Sequence, residues 1–270
     1  MCALLNALNS DDKKIINIAN INTHKHSIIY ADNCEVYFYS KNESFIAPVN
    51  SMIFVERGVR YSCKVIKHKP DCPPFKILNL GDESLQALKC ILTTVYEYKL
   101  DGGGKLQRAM QEKVISVEAT NESILLFNDL LTVTDNRMKA LKIAYLMSRF
   151  TLSKMLFHSV IVSSGYTFAD KVRDLISNDI SRKWRLGSIA DSFNISEITV
   201  RKRLESEGIS FNNLMLSLRM NEAKRLLLEN NKQIHQIAKH IGLSSSSYFI
   251  RLFKEFYGVT PKQYVIYFRS

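Results

Sequence analysis

Three consecutive cations, Arg201, Lys202 and Arg203, follow a short apolar segment and a tight polar turn. Arginine and lysine so grouped on one helix can bond phosphate oxygens, and arginine can bond the O6 and N7 acceptors of guanine. A second group comes 48 residues downstream, where Ser246, Ser247, Ile250 and Arg251 fall opposite Phe249 and Phe253 on one helical period. A third, His24-Lys25-His26, pairs two imidazoles on one face of an extended segment and has two possible chemistries, metal ligation or the grip of a small anion. The other four histidines (His68, His158, His235, His240) supply no third ligand at a suitable spacing, so no metal site is expected. The plain alternative for the pair is that both are ordinary surface or core histidines.

The elements that would carry the cations read as helix-turn-helix units. Residues 183–205 form two short amphipathic helices. The first buries Leu186, Ile189, Ala190 and Phe193, the turn lies at Asn194-Ile195-Ser196, and the second is capped by the Ser196 hydroxyl. Ile189-Ala190 is repeated as Ile237-Ala238 and Ile195-Ser196 as Leu243-Ser244, all at one offset, which indicates an internal duplication. The units are placed at about 186–206 and 233–255. Between them a helix from Ser210 to about Glu229 would span roughly 30 Å, close to one turn of DNA.

Ahead of these units the text changes character twice. Residues 14–80 hold short runs rich in Ile, Val, Tyr and Phe between turn signals, which predicts a small β-sandwich or barrel. From Asp82 to Tyr98 the period becomes helical. The Gly102–Gly104 run breaks it, and two further helices are expected near 122–131 and 136–160. The last of these is apolar nearly all round, so it is either a plain core helix or one that also packs on a second subunit. The expected organisation is α+β: an effector-sensing and dimerising domain over 1–160, a linker at 161–166, and an all-α domain over 167–270 opened by the capping box Thr167-x-x-Asp170. Residues 1–13 read as a polar leader.

Composition bounds the function. The net charge is +11, and from Gly165 onward 17 Lys and Arg face 10 Asp and Glu, against 20 facing 16 before it. The excess is concentrated in the helical region, as an anionic polymer requires. Five cysteines, all before residue 91 and without zinc-ligand spacing, read as reduced thiols of a cytosolic protein. No positive segment precedes the apolar start, and Arg149, Lys154 and His158 interrupt the most apolar window, so neither a signal peptide nor a membrane span is expected. No nucleophile elbow, phosphate loop or paired carboxylates point to an enzyme.

The run I-A-x-x-x-G-L-x-x-x-S-Y-F-x-x-x-F-K-x-x-x-G-x-T-P-x-x-Y, Ile237 to Tyr264, resembles the signature of the AraC/XylS transcription regulators. Leu243 stands where Phe is usual, and Val265 where Arg commonly follows the Tyr. Residues 181–207 are similar to the enteric virulence regulators of the Rns and ToxT type. Over the N-terminal half the resemblance is carried by fragments such as Phe54-Val55-Glu56-Arg57-Gly58-Val59. It implies a cupin-like β-domain followed by two helix-turn-helix units, and an activator that binds A·T-rich double-stranded promoter DNA and contacts RNA polymerase. The base-facing residues it implies are Ile198, Arg201 and Lys202 in the first unit and Ser246, Ser247, Ile250 and Arg251 in the second. Ser196, Thr199, Arg203 and Lys254 would cap, pack or meet phosphates. By the same resemblance His24, Lys25, His26, His235 and Lys239 are candidates to hold a fatty-acid carboxylate, with bicarbonate as the competing effector and no other cofactor. A homodimer through 120–160 is a further expectation. The alternative function is a repressing or anti-silencing DNA-binding protein that makes no polymerase contact.

Overall fold

The computed structural model describes residues 14–40, 43–98, 108–229 and 232–269. The expected leader, Cys2 and the Gly102–Gly104 break lie outside the described residues. The chain divides into two compact units, one of residues 1–165 with 267–270 and one of 166–266.

The first unit is built on two four-stranded antiparallel sheets. Strands β1 (Ile15–Asn22), β6 (Arg60–Lys67), β3 (Cys34–Ser40) and β4 (Glu43–Ala47) form one, in that spatial order. The other runs β7 (Lys76–Asn79), β2 (Ser27–Ala31), β5 (Ser51–Val55) and β8 (Val114–Glu118). Every residue of β2 and β5 is buried, so this sheet is covered on both faces. Helices α1 (Asp82–Thr94), α2 (Asn121–Leu130), α3 (Asn136–Ser148) and α4 (Ser153–Ser163) cover one face, packing Leu88, Phe127, Ile143 and Leu156 against Ile28, Phe54 and Ile115.

Three expectations are corrected here. Strand β8 occupies a stretch not read as any element; its five residues pair with β5 in register from Val55↔Val114 to Ser51↔Glu118. The predicted helix over 136–160 is two helices, since Arg149 caps α3 and Leu152, with φ −90° and ψ 20°, precedes α4. The linker expected at 161–166 is helical through Ser163. Polar Ser153, Ser159 and Ser163 hid this continuation, because two of them turn inward and hydrogen-bond rather than mark a loop.

The second unit holds seven helices among the described residues: α5 (Phe168–Ser177), α6 (Leu186–Phe193), α7 (Glu197–Ser206), α8 (Phe211–Glu229), α9 (Ile234–His240), α10 (Ser246–Tyr257) and α11 (Pro261–Arg269), the last of which ends in residues grouped with the first unit. The capping box that opens α5 forms as read, with Asp170 N donating to Thr167 Oγ1 at 3.2 Å and Thr167 N donating to Asp170 Oδ2 at 2.9 Å. A second anchor went unread. The Glu207 carboxylate accepts from Phe168 N at 2.8 Å and Ala169 N at 2.9 Å, binding the end of the first helix-turn-helix to the start of α5.

Candidate nucleic-acid interface

Each helix-turn-helix is fixed by the same backbone bond. Ile195 N donates to Ala190 O at 3.1 Å in the first, and Leu243 N to Ala238 O at 2.9 Å in the second. The bends differ in how they enter the left-handed region, which Asn194 occupies at φ 51° and Gly242 at φ 76°. Asparagine tolerates that conformation, whereas at 242 space also excludes a side chain. A Cβ there would lie 2.7 Å from the Ser181 carbonyl oxygen and 3.1 Å from Arg219 Nη2.

Beyond the bend the two units part by one residue. Ser196 caps α7, accepting from Thr199 N at 3.2 Å, while α10 is capped by Ser245, not Ser244, accepting from Tyr248 N at 3.3 Å. The buried ridges follow the caps, with Val200 and Leu204 in α7 and Phe249 and Phe253 in α10. The duplication therefore holds at an offset of 48 through the bend and at 49 along the second helices.

Burial of Val200 and Leu204 turns the other side of α7 to solvent. Ile198, Arg201 and Lys202 all lie exposed there, Ile198 at 65%. Among the described residues Arg201 and Lys202 make no hydrogen bond or ion pair, so both cations are available. Arg203 turns to the flank, its guanidinium over the Phe168 ring at 5.3 Å, and Thr199 is half-buried beside the Ser196 cap at 2.9 Å. On α10, Ser247, Ile250, Arg251 and Lys254 are exposed and Ser246 is half-buried. Arg251 lies over the Tyr248 ring at 5.3 Å and 3.8 Å from Glu255, both contacts that water and salt weaken. Between the units α8, 19 residues or about 28 Å long, buries Leu214 and Leu218 toward the first unit's core and is capped by Ser210, whose hydroxyl accepts from Asn213 N at 3.3 Å.

The remaining predicted residues lie elsewhere. His235 and Lys239 are exposed on α9. In the first unit the turn before β2 is tied down by Thr23, whose hydroxyl donates to Glu56 O at 2.7 Å. Of the three residues that follow, Lys25 is exposed, His24 half-buried and His26 buried. Burial, and then the charges of Arg57 and Arg108, push the His26 imidazole down to about 3. It is neutral at physiological pH and brings no positive charge to an anion, which corrects the expectation of a three-residue basic grip. The buried partner that the sequence did not reveal is Glu56, which accepts from Ser159 Oγ at 2.8 Å and from Arg108. Among the described residues no cluster of three metal-ligating side chains exists, and no helix is long and apolar enough to cross a membrane.

Two helix-turn-helix units in one helical body, each presenting a solvent-facing second helix, define a DNA-binding protein. Residues 189–265 match the family described as a helix-turn-helix domain. The chain is 41% identical to the DNA-binding dual transcriptional regulator Rns of Escherichia coli over 97% of this chain and 98% of that one. It is 32% identical to the virulence regulon transcriptional activator VirF of Shigella flexneri, over 93% and 95% respectively. The structure of ToxT from Vibrio cholerae bound to an unsaturated fatty acid superposes with a TM-score of 0.65 at 18% identity, covering 94% of this chain and 92% of that one, a likeness of fold. The chain belongs to the AraC/XylS family of transcription regulators, within the group of enteric virulence regulators, and is not an enzyme.

Proposed function

We propose that this protein is a cytosolic, sequence-specific activator of virulence genes that sets α7 and α10 into major grooves of promoter DNA and contacts RNA polymerase. The observation that carries the reading is the exposed stripe of α7, two unpaired cations beside an exposed isoleucine, repeated on α10 by Ser247, Ile250 and Arg251. Arg201, Lys202 and Arg251 would bond base edges, and Ile198 and Ile250 would meet thymine methyls. Ser246 and Ser247 are placed for either base or phosphate. Ser196, Thr199, Arg203 and Lys254 would hold the helices and meet the backbone. VirF and several other relatives are named as activators, which supports activation over the anti-silencing alternative. In vitro transcription on naked template is the test. Stimulation without any silencing protein present supports the activator, and relief only when a silencer is added overturns it.

The first unit would supply dimerisation and response to an effector. Met138, Leu141 and Tyr145 form an exposed stripe on α3, each 46% exposed or more, with Leu125 of α2 exposed at 72%. An apolar stripe of this kind fits a second copy of the chain. For the effector we favour a fatty acid over bicarbonate, because ToxT was solved with one. Lys25, His24, His235 and Lys239 are the candidates for its carboxylate. Loss of the response to added fatty acid in Lys25→Ala, measured by DNA-binding anisotropy, tests the assignment.

A further inference from the structure

Between the β2–β5 sheet and helices α1, α3 and α4 lies a cleft enclosing about 330 Å³. Ile28, Phe54, Leu88 and Met147 supply apolar walls, and His26, Ser27, Glu56 and Ser159 make one polar edge. At roughly 30 Å³ for each non-hydrogen atom of a liquid this is room for about ten such atoms.

The protons of that edge are already committed. Ser27 Oγ donates to Asn79 Oδ1 at 2.7 Å, and Ser159 Oγ donates to Glu56 Oε2 at 2.8 Å. Ser163 Oγ donates to the Ser159 carbonyl, so at its 2.7 Å contact with His26 it must accept, which places the imidazole proton on Nε2. Burial keeps this ring neutral. Its Nδ1 is then a bare lone pair, buried and without a partner among the described residues. The other group on the edge with lone pairs to spare is the Glu56 carboxylate. Arg108, whose Nη1 is also without a partner, engages Glu56 but does not line the cleft. The edge therefore offers acceptors and no donor, and an ionised carboxylate placed there would face Glu56 with nothing to bind it.

We propose that this cleft is a binding site for a small, uncharged, mostly aliphatic molecule carrying one O–H or N–H donor, which it gives to His26 Nδ1. The site is distinct in chemistry from the anion site read at Lys25 and does not depend on how α7 and α10 meet DNA.

The test uses purified full-length protein and three eight-carbon probes: 1-octanol, octanoate and octane. Calorimetric titration should give saturable binding of 1-octanol at least tenfold tighter than of either other probe, and His26→Phe should weaken it at least tenfold. Octanoate binding as well as 1-octanol, absence of 1-octanol binding, or unchanged binding by His26→Phe would each overturn the proposal. If the variant does not fold, nitrogen NMR of histidine-labelled wild type decides. The His26 Nδ1 resonance must move as 1-octanol saturates, and a stationary resonance refutes the site. Anisotropy with promoter DNA, run in parallel, reports separately on the regulator reading, so failure of one leaves the other standing.

Discussion

Replacing Gly242 by alanine should damage the second helix-turn-helix by an amount that a second glycine calibrates. Gly208 also has a left-handed backbone, φ 71° against 76°, but a Cβ at 208 meets nothing within 4 Å. Gly208→Ala should therefore lose only the conformational term, about 1–2 kcal/mol, offset by roughly 0.4–1 kcal/mol from a less flexible unfolded chain. Gly242→Ala carries the same terms and adds a Cβ 2.7 Å from the Ser181 carbonyl oxygen. That atom is backbone, so the 178–185 loop or the bend must move by several tenths of an ångström, a further ~1–3 kcal/mol by analogy with overpacked cores. The single tryptophan, Trp184, lies in that loop, its Nε1 donating to Asp179 O at 2.8 Å. Its fluorescence in urea thus reports on the DNA-binding unit without interference from the β-domain. Gly242→Ala should unfold at distinctly lower urea than Gly208→Ala and should also lose specific DNA affinity. Equal shifts for the two variants would refute the close approach as the reason for glycine at 242.

Arg201→Ala and Arg251→Ala should each weaken specific promoter binding by about 1–3 kcal/mol while sparing non-specific binding, measured by anisotropy with matched and scrambled duplexes. Affinity should fall steeply as salt rises, and Lys202→Ala should flatten that slope if it also meets phosphate; a flat wild-type profile would sink the groove reading. Leu141→Glu should shift sedimentation from dimer to monomer with little change in melting temperature, because the residue is 50% exposed. The His26 imidazole titrates near 6.5 when unfolded and at about 3 when folded, so the unfolded chain binds the extra proton and stability is full above 6.5 and falls as pH drops. At about pH 5 the loss should be of order 2 kcal/mol, and His26→Gln should lack that component in acid unfolding curves.

Most of the second unit was legible because its signals are local. Caps at Ser196 and Thr167, apolar spacing at Ile189, Val200, Phe249 and Phe253, and a stop at Gly258 each state their element within a few residues. The first unit is less legible because its determinants are distant in sequence. Strand β8 holds its place by pairing with β5, more than fifty residues away. Glu56 reads as part of a turn yet is buried against Ser159 and Arg108, and His26 reads as a basic ligand until its contact with Ser163, 137 residues on, is known. Charge predicted from residue type alone fails where burial reverses the protonation state.

The one-residue step between the two helix-turn-helix units changes which side chains correspond. Transferring positions at the offset of 48 found in the first helices would set Arg201 on Phe249, a fully buried core residue. Burial requires 49 instead, which pairs Val200 with Phe249, Leu204 with Phe253, Arg201 with Ile250 and Lys202 with Arg251. The cation common to both second helices is then the 202/251 position, opposite the buried ridge, while 201 and 250 differ in kind. A protein whose two units shared every exposed side chain would favour a repeated site. With arginine at one such position and isoleucine at its counterpart, the two units favour different bases there, a guanine acceptor pair in one case and a thymine methyl in the other. The duplication thus conserves the scaffold that sets the helices out and separates the sequences they read.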